Sequence, residues 1–222
     1  MSAKHHQKIK KILNKLILNG IEKTYGSNTV LQFVQWEINT DVYWLKGGNG
    51  TGKTTLFRII SGQTPFNGSV ILDGLNLKDK PTQFKEKISY AEAEPQYPAF
   101  VTGQELINFY KDVRKANQTE IDRLTDFFEM TSFLVQKVGG YSSGMLKKLS
   151  LICAFIGDAD LYILDEPLIT IDAASADKLY LLIREKSKLG KSFLISSHQE
   201  VDNTKLPLDC IFKIEDKQIV KC

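Results

Sequence analysis

The chain has 222 residues, of which 42% are hydrophobic and 25% are charged. These fractions are typical of globular proteins, and the length fits one domain or one domain with a modest insertion. The composition therefore excludes a disordered or low-complexity chain. The net charge of +3 is too small to indicate nucleic acid binding by itself.

The cysteines and the apolar segments indicate the cellular compartment of the protein. Cys153, Cys210 and Cys222 are far apart and form no CxxC pair, which argues against a disulfide framework or a structural zinc site and favours a reducing cytosol. No apolar run approaches the ~18–20 residues needed to cross a bilayer. The N-terminus lacks the apolar core of a secretion signal, so we expect a soluble protein.

Residues 1–15 form a basic segment. Five lysines surround Ile9, Ile12 and Leu13, a spacing that fits a short amphipathic helix. Two interpretations stay open: contact with anionic lipid, or, as we favour, a solvated and frayed terminus. We treat residues 1–15 as a basic extension and residues 16–222 as the folded domain.

Apolar patterns after residue 15 predict strands. A short apolar run covers residues 16–18, and Val34, Trp36 and Ile38 alternate with polar residues, the period-2 pattern of a half-buried strand. Residues 42–45 are apolar throughout, as expected of a strand that is covered on both faces.

The remaining pattern alternates helices with strands. Apolar spacing predicts a helix over residues 56–60 that Gly62 ends. The later predictions are strands over 69–72 and 88–90, mostly helix from 97 to 155, a strand over 161–164, a helix near 173–188 and a strand over 193–197. This order predicts an α/β fold with a parallel-sheet core and an inserted helical lobe.

A glycine-rich loop follows the strand over residues 42–45 and matches the pattern G-x-x-x-x-G-K-[ST]. Its glycines let successive backbone N–H groups point at phosphate oxygens. Lys53 supplies a cation to the β- and γ-phosphates, Thr54 ligates Mg²⁺, and the helix that follows adds its dipole. The alternative is a glycine-rich turn that binds nothing. The predicted nucleotide-binding residues here are Gly47, Gly48, Asn49, Gly50, Thr51, Gly52, Lys53, Thr54 and Thr55.

Two carboxylates follow the predicted strand over residues 161–164. The strand places Asp165 at its carboxyl end, where ligands bind in open α/β sheets. Asp165 would hold Mg²⁺ directly or through water, and Glu166 would polarise an attacking water. A solvated acidic turn is the alternative.

With these motifs, residues 16–222 resemble an ATP-binding cassette (ABC) ATPase. The segment Tyr141-Ser-Ser-Gly-Met145 lies where that family has its LSGGQ signature. Ser142 and Gly144 match the signature, whereas Ser143 and Met145 replace a glycine and a glutamine. A helix N-cap explains Ser142 equally well.

The resemblance implies roles for three further residues. His198 follows the last predicted strand, where the family has a histidine that contacts the γ-phosphate and orients Glu166 and the water. Asp172 lies at the family's dimer-contacting loop, or caps the helix that follows. Tyr25 is similar to the aromatic residue that stacks on adenine, or is a buried tyrosine at a sheet edge.

One departure concerns the glutamine that the family places after the strand over residues 88–90. By spacing this slot falls on Ala93. Alternatively, a shift of the loop would bring Glu92, Glu94 or Gln96 into this slot. The lack of this glutamine would slow ATP hydrolysis or alter the link to a partner.

The resemblance implies a P-loop NTPase core with a mixed or parallel sheet, an N-terminal antiparallel β subdomain and a helical subdomain over about 97–155. It further implies that Mg-ATP is hydrolysed in a sandwich dimer, on the cytoplasmic face of a membrane, for a separate membrane subunit. An exporter is favoured slightly, and no nucleic acid partner is expected. The alternatives are a soluble ATPase acting on nucleic acid or ribosomes and a weakly hydrolysing regulatory ATP-binding protein.

Overall fold

A computed structural model describes residues 15–39, 42–198, 204–206 and 208–222. The predicted basic helix near the N-terminus lies outside these residues. No helix within them is long and apolar enough to cross a membrane.

The strands of the described residues form two sheets. In chain order they are β1 (Leu16–Tyr25), β2 (Asn28–Ile38), β3 (Val42–Lys46), β4 (Asn67–Leu72), β5 (Leu75–Asn76), β6 (Ile88–Ala91), β7 (Leu161–Leu164), β8 (Ser192–Ser197), β9 (Cys210–Glu215) and β10 (Gln218–Lys221). The first sheet is antiparallel with the order β2-β1-β4-β5. The second has the order β10-β9-β3-β8-β7-β6 and is parallel except for the β9–β10 pair.

The helices separate into those that follow strands and those that form a lobe. In chain order they are α1 (Lys53–Ile60), α2 (Pro81–Glu86), α3 (Gly103–Arg114), α4 (Gln118–Phe127), α5 (Ser143–Phe155) and α6 (Ala173–Lys188). Helices α3, α4 and α5 follow β6 and precede β7 in the chain, and they pack on one another. Two sheets with inserted helices confirm the α/β fold that the sequence predicts.

The parallel strands at the centre lie between two hydrophobic cores. On β3, Val42 and Trp44 pack in the core that contains the helical lobe, whereas Tyr43 and Leu45 pack in the core beneath the antiparallel sheet. Strands β7 and β8 alternate in the same way. Because neighbouring residues of a strand point to opposite faces, a strand covered on both faces is apolar throughout.

The pattern predicted for β2 is wrong at Val34. Trp36 and Ile38 are buried as expected, but Val34 is 85% exposed. Gly20 on the paired strand β1 has φ +59, and the β1–β4 register shifts between Asn19 and Glu22. A β-bulge of this kind changes which side chains face inward, and β2 changes its inward face beside it.

Candidate active site

The glycine-rich loop joins the buried strand β3 to helix α1. Gly50 and Gly52 have φ values of +78 and +104, a region that favours glycine. A Cβ atom on Gly52 would lie 3.1 Å from a methyl group of Val30. The loop therefore turns sharply at the end of β3 and leads directly into the first turn of α1.

Lys53, the first residue of α1, is almost fully buried. Its ammonium donates hydrogen bonds to the carbonyl oxygens of Gly47 at 2.6 Å and Gly48 at 2.9 Å. The same ammonium lies 3.4 Å from Glu166 Oε1. The structure thus places a cation inside the loop and beside the predicted catalytic carboxylate.

Asp165 follows β7 and is completely buried. Ser196 Oγ donates a hydrogen bond to Asp165 Oδ1 at 2.5 Å, and the Tyr90 hydroxyl donates to Oδ2 at 3.3 Å. Burial, and then the charge of Asp165, raise the pKa of Tyr90, so the phenol stays protonated and can donate. The sequence analysis missed both hydroxyl groups, although each lies on a strand adjacent to β7.

Glu166 has a left-handed backbone conformation with φ +46, which is uncommon for a residue other than glycine. Its N–H donates to Ser196 Oγ at 2.9 Å. Its Oε2 accepts the His198 N–H at 3.2 Å and lies 3.1 Å from His198 Nδ1. Its Oε1 is buried, has no hydrogen-bond partner among the residues that the structure describes, and lies 3.4 Å from the Lys53 ammonium. Lys53, Glu166 and His198 are therefore one connected group.

A cleft of about 530 Å³ opens over this group, and its lining includes Tyr25 at the edge, loop residues 48–55, Glu166 and His198. Tyr25 is 46% exposed and the Lys23 ammonium lies 4.4 Å from the centroid of its ring, which does not fit a buried tyrosine. Asp165 lies behind the cleft wall.

The loop after β6 carries the four residues considered for the glutamine slot. Ala93 and Glu94 line the cleft. Glu92 instead accepts a hydrogen bond from Gln63 Nε2 at 3.2 Å. Of the two that line the cleft, Glu94 has the side chain with oxygen atoms.

Ser142 and Gly144 lie outside the cleft lining. Ser142 is the N-cap of α5 and its Oγ accepts the Met145 N–H at 3.2 Å. A Cβ atom on Gly144 would lie only 2.7 Å from the carbonyl oxygen of Thr170. This segment is therefore packed against the loop that follows Glu166.

Asp172 caps helix α6, as one of the two interpretations expects. Its Oδ1 accepts the Ser175 N–H at 2.8 Å, and its carboxylate pairs with Lys148 of α5 at 2.9 Å. The hydrogen bond from Lys148, followed by the capping bonds, lowers the pKa of Asp172. The contact adds a second link between α5 and the loop that follows Glu166.

Lys147 is a further residue that the sequence analysis missed. It is 2% exposed, and its ammonium donates to the carbonyl oxygens of Glu92 at 2.9 Å, Ala93 at 2.6 Å and Asp165 at 3.4 Å. Burial lowers its pKa to about 8, although the charges of Asp165 and Glu166 act in the opposite direction. Lys147 joins α5 to the loop after β6 and to the backbone of the site.

Comparison with known proteins gives one consistent result. The profile of the family described as ABC transporter matches residues 31–169. The chain is 29% identical over 198 residues to the cytochrome c biogenesis ATP-binding export protein CcmA of Haemophilus influenzae, with 87% of this chain and 93% of that protein covered. It is 31% identical over 190 residues to the ABC transporter ATP-binding protein YtrB of Bacillus subtilis, with 83% and 64% covered.

A solved structure gives the same fold. The structure described as the ATP binding subunit of an ABC transporter superposes with a TM-score of 0.84 at 23% identity, covering 93% of this chain and 89% of that chain. At this identity the likeness concerns the fold alone, and it confirms the predicted P-loop architecture.

Proposed function

The chain belongs to the ABC transporter family of ATP-binding proteins and is an ATPase, and from this premise we propose that it hydrolyses Mg-ATP in a sandwich dimer to power a separate membrane subunit. The observation that carries the proposal is the contact of Lys53, Glu166 and His198 beside the glycine-rich loop. A cation, a carboxylate and its orienting group are the parts that phosphoryl transfer to water needs.

The cleft supports an assignment for each part of the nucleotide. The loop N–H groups and Lys53 bind the phosphates, because both direct positive charge into the cleft. Tyr25 at the edge of the cleft stacks on the adenine. The ring is half exposed, which leaves surface for a base to cover.

The residues present fit Mg²⁺. Thr54 lines the cleft in the first turn of α1, and Asp165 places a carboxylate behind it. Each Asp165 oxygen already accepts one hydroxyl hydrogen bond and each keeps a further lone pair. Mg²⁺ usually keeps several water ligands. The position of Thr54 in the cleft lining therefore supports it as a direct ligand, and the position of Asp165 outside the lining supports it as a ligand through water. The bound ion would neutralise charge on the phosphates.

The proposed reaction is the attack of water on the γ-phosphorus. The bond between that phosphorus and the bridging oxygen breaks, which releases ADP and inorganic phosphate. Glu166 Oε1 has no hydrogen-bond partner within the described part of the chain, so this oxygen is the one that accepts a hydrogen bond from the attacking water. His198 holds Oε2 in place. Lys53 stabilises the charge that develops on the phosphoryl oxygens.

The signature segment supports the sandwich dimer. Ser142 and Gly144 are absent from the lining of the cleft in their own chain, so a second copy would have to supply them. The sandwich geometry, in which this segment of one copy covers the γ-phosphate held by the other, is carried over from the family resemblance.

The exposed surface of the helical lobe supports the proposal of a membrane partner. Phe100, Phe109, Val113 and Val135 are large apolar residues that are between 61% and 78% exposed. Exposed apolar patches commonly mark interaction sites. We assign the lobe to contact with the membrane subunit, which places the protein on the cytoplasmic face of the membrane.

A second candidate function is regulatory ATP binding with slow turnover. Ala93 lines the cleft at the slot where the family has a glutamine, so it provides no side-chain group to position water. A steady-state ATPase assay separates the two functions, because the regulatory protein would bind ATP with very little release of phosphate.

The variant Glu166→Gln tests the principal proposal. We expect the loss of ATPase activity with retention of ATP binding, and an ATP-bound dimer on size-exclusion chromatography with Mg-ATP. The reason is that the amide keeps the shape of the side chain but removes the charge that orients water. Glu86→Gln, which makes the same change at an exposed residue at the end of α2 outside the cleft lining, is the matched control and should remain monomeric after turnover. A monomeric Glu166→Gln protein with bound Mg-ATP would contradict the sandwich.

A further inference from the structure

Ser196 is a completely buried serine near the end of β8. Its hydroxyl donates to Asp165 Oδ1 at 2.5 Å and accepts the Glu166 N–H at 2.9 Å. Strands β7 and β8 are parallel and pair Leu164 with Ile195, so the next residue of each strand lies side by side. One hydroxyl therefore connects the carboxylate of Asp165 with the backbone N–H of Glu166, two consecutive residues that have different proposed roles.

The hydrogen bond between the Glu166 N–H and Ser196 Oγ stabilises a backbone conformation of Glu166 that is otherwise unfavourable. A residue other than glycine at φ +46 costs free energy and persists only when its surroundings hold it. Ser196 holds the N–H of Glu166, and His198, two residues further along, holds its carboxylate. The end of β8 therefore fixes both the backbone and the side chain of Glu166.

The hydrogen bond from Ser196 to Asp165 offsets part of the free energy that it costs to bury the Asp165 carboxylate. A fully buried carboxylate needs hydrogen bonds to its charged form. The bond from Ser196 at 2.5 Å is shorter than the bond from Tyr90 at 3.3 Å, and short bonds to a charged acceptor are the stronger ones. Loss of the Ser196 hydroxyl would leave Asp165 with one long hydroxyl contact.

We propose that Ser196 is a positioning residue for ATP hydrolysis, which sets the Asp165 carboxylate and the Glu166 backbone relative to each other. The proposal rests on the proposed function. Ser196 lies outside the lining of the cleft, so it acts through its two neighbours and makes no contact with the nucleotide.

The test compares Ser196→Ala with Ser192→Ala. Ser192 is a buried serine on the same strand whose Oγ has no hydrogen-bond partner among the described residues, so it is a matched control for removing a hydroxyl group from β8. We expect kcat of Ser196→Ala to fall about ten- to a hundredfold, as for the loss of a hydrogen bond to a charged group. The KM for ATP and the calorimetric affinity for ATP in EDTA should change less than about threefold, because the loop and Lys53 remain.

Two further variants separate positioning from general packing. Ser196→Thr keeps the hydroxyl and should restore most of kcat. If Ser196→Ala does not fold, Ser196→Cys takes its place, because the thiol is similar in shape but is only a weak donor. The proposal is overturned if Ser196→Ala has the kcat of Ser192→Ala, if kcat and ATP affinity fall together, or if a folded Ser196→Thr protein is no more active than Ser196→Ala. Failure of the unmodified protein to bind or hydrolyse ATP would instead refute the proposed function, and this proposal with it.

Discussion

The buried ammonium of Lys147 gives a prediction for the pH dependence of stability. Burial lowers the pKa of Lys147 from 10.5 to about 8. A group whose pKa is lower in the folded protein than in the unfolded chain contributes most stability above the unfolded value, and this contribution is lost as the pH falls through the folded value. The contribution of Lys147 to the free energy of unfolding should therefore rise with pH between about 8 and 10.5.

The magnitude follows from these two pKa values. Between pH 7.5 and 9.5 the unfolded chain binds nearly a full proton at this lysine, whereas the folded protein loses most of its own. Integration over that interval gives a rise of about 2 kcal/mol from this single group. Burial also raises the pKa values of Cys153, Tyr90 and Tyr97. These groups act in the opposite direction as the pH approaches their ordinary values of 9.0 and 10.0, so the effect of Lys147 must be measured as a difference between two proteins that both contain them.

Lys147→Met isolates the effect, because methionine replaces most of the unbranched side chain and carries no charge. Urea unfolding in EDTA without nucleotide, at pH 7.5 and 9.5, gives the free energies of both proteins. The variant is expected to lose the hydrogen bonds to Glu92 and Ala93 at every pH, which is a constant offset. The difference between the two proteins should change by about 2 kcal/mol across the interval.

The exposed Lys188 at the end of α6 provides the control. Lys188→Met should follow the unmodified protein in parallel, because that ammonium is exposed to water in the folded protein as well. A Lys147→Met curve that is also parallel would refute the reasoning, since it would mean that the ammonium is not desolvated by folding.

Two other substitutions have expected outcomes. Gly144→Ala places a Cβ atom 2.7 Å from the Thr170 carbonyl oxygen and should lower the free energy of unfolding by about 1–3 kcal/mol. In the matched control Gly140→Ala, the Cβ atom meets no atom of the described residues within 4 Å, and the free energy should change by less than about 0.5 kcal/mol. Equal urea midpoints of the two variants would contradict this packing. Tyr25→Ala should weaken ATP binding in calorimetry by at least about fivefold, as for a lost base–aromatic contact. Tyr25→Phe keeps the ring and should keep the affinity. An alanine variant with unchanged affinity for ATP would remove Tyr25 from the site.

Much of the candidate site could be predicted because its parts end neighbouring parallel strands. The loop before Lys53 follows β3, Asp165 follows β7 and His198 follows β8, and each strand is recognisable as a short apolar run. The carboxyl ends of parallel strands share one edge of the sheet. Residues far apart in the sequence therefore converge without any information about side-chain contacts.

The residues that support the site could not be predicted in this way. Ser196 looks like any serine in a strand, and its role depends on the register of β8 against β7. Lys147 has the sequence signature of an exposed lysine on an amphipathic helix, and only the rotation of α5 shows that it is buried. The prediction for Val34 was wrong because β2 changes its inward face between Phe33 and Trp36, beside the bulge at Gly20 of β1. An unbroken period-2 pattern through this point places Val34 on the buried face.

The two hydrophobic cores share the backbone of β3, β7 and β8, since alternate residues of each strand belong to opposite layers. Loosening either layer would therefore disturb the strand ends that carry the candidate active site. We therefore expect cooperative melting of the layers, in which nucleotide bound at one edge protects amide hydrogens throughout both. In this architecture the stability of the whole domain and the precision of the active site depend on the same three strands.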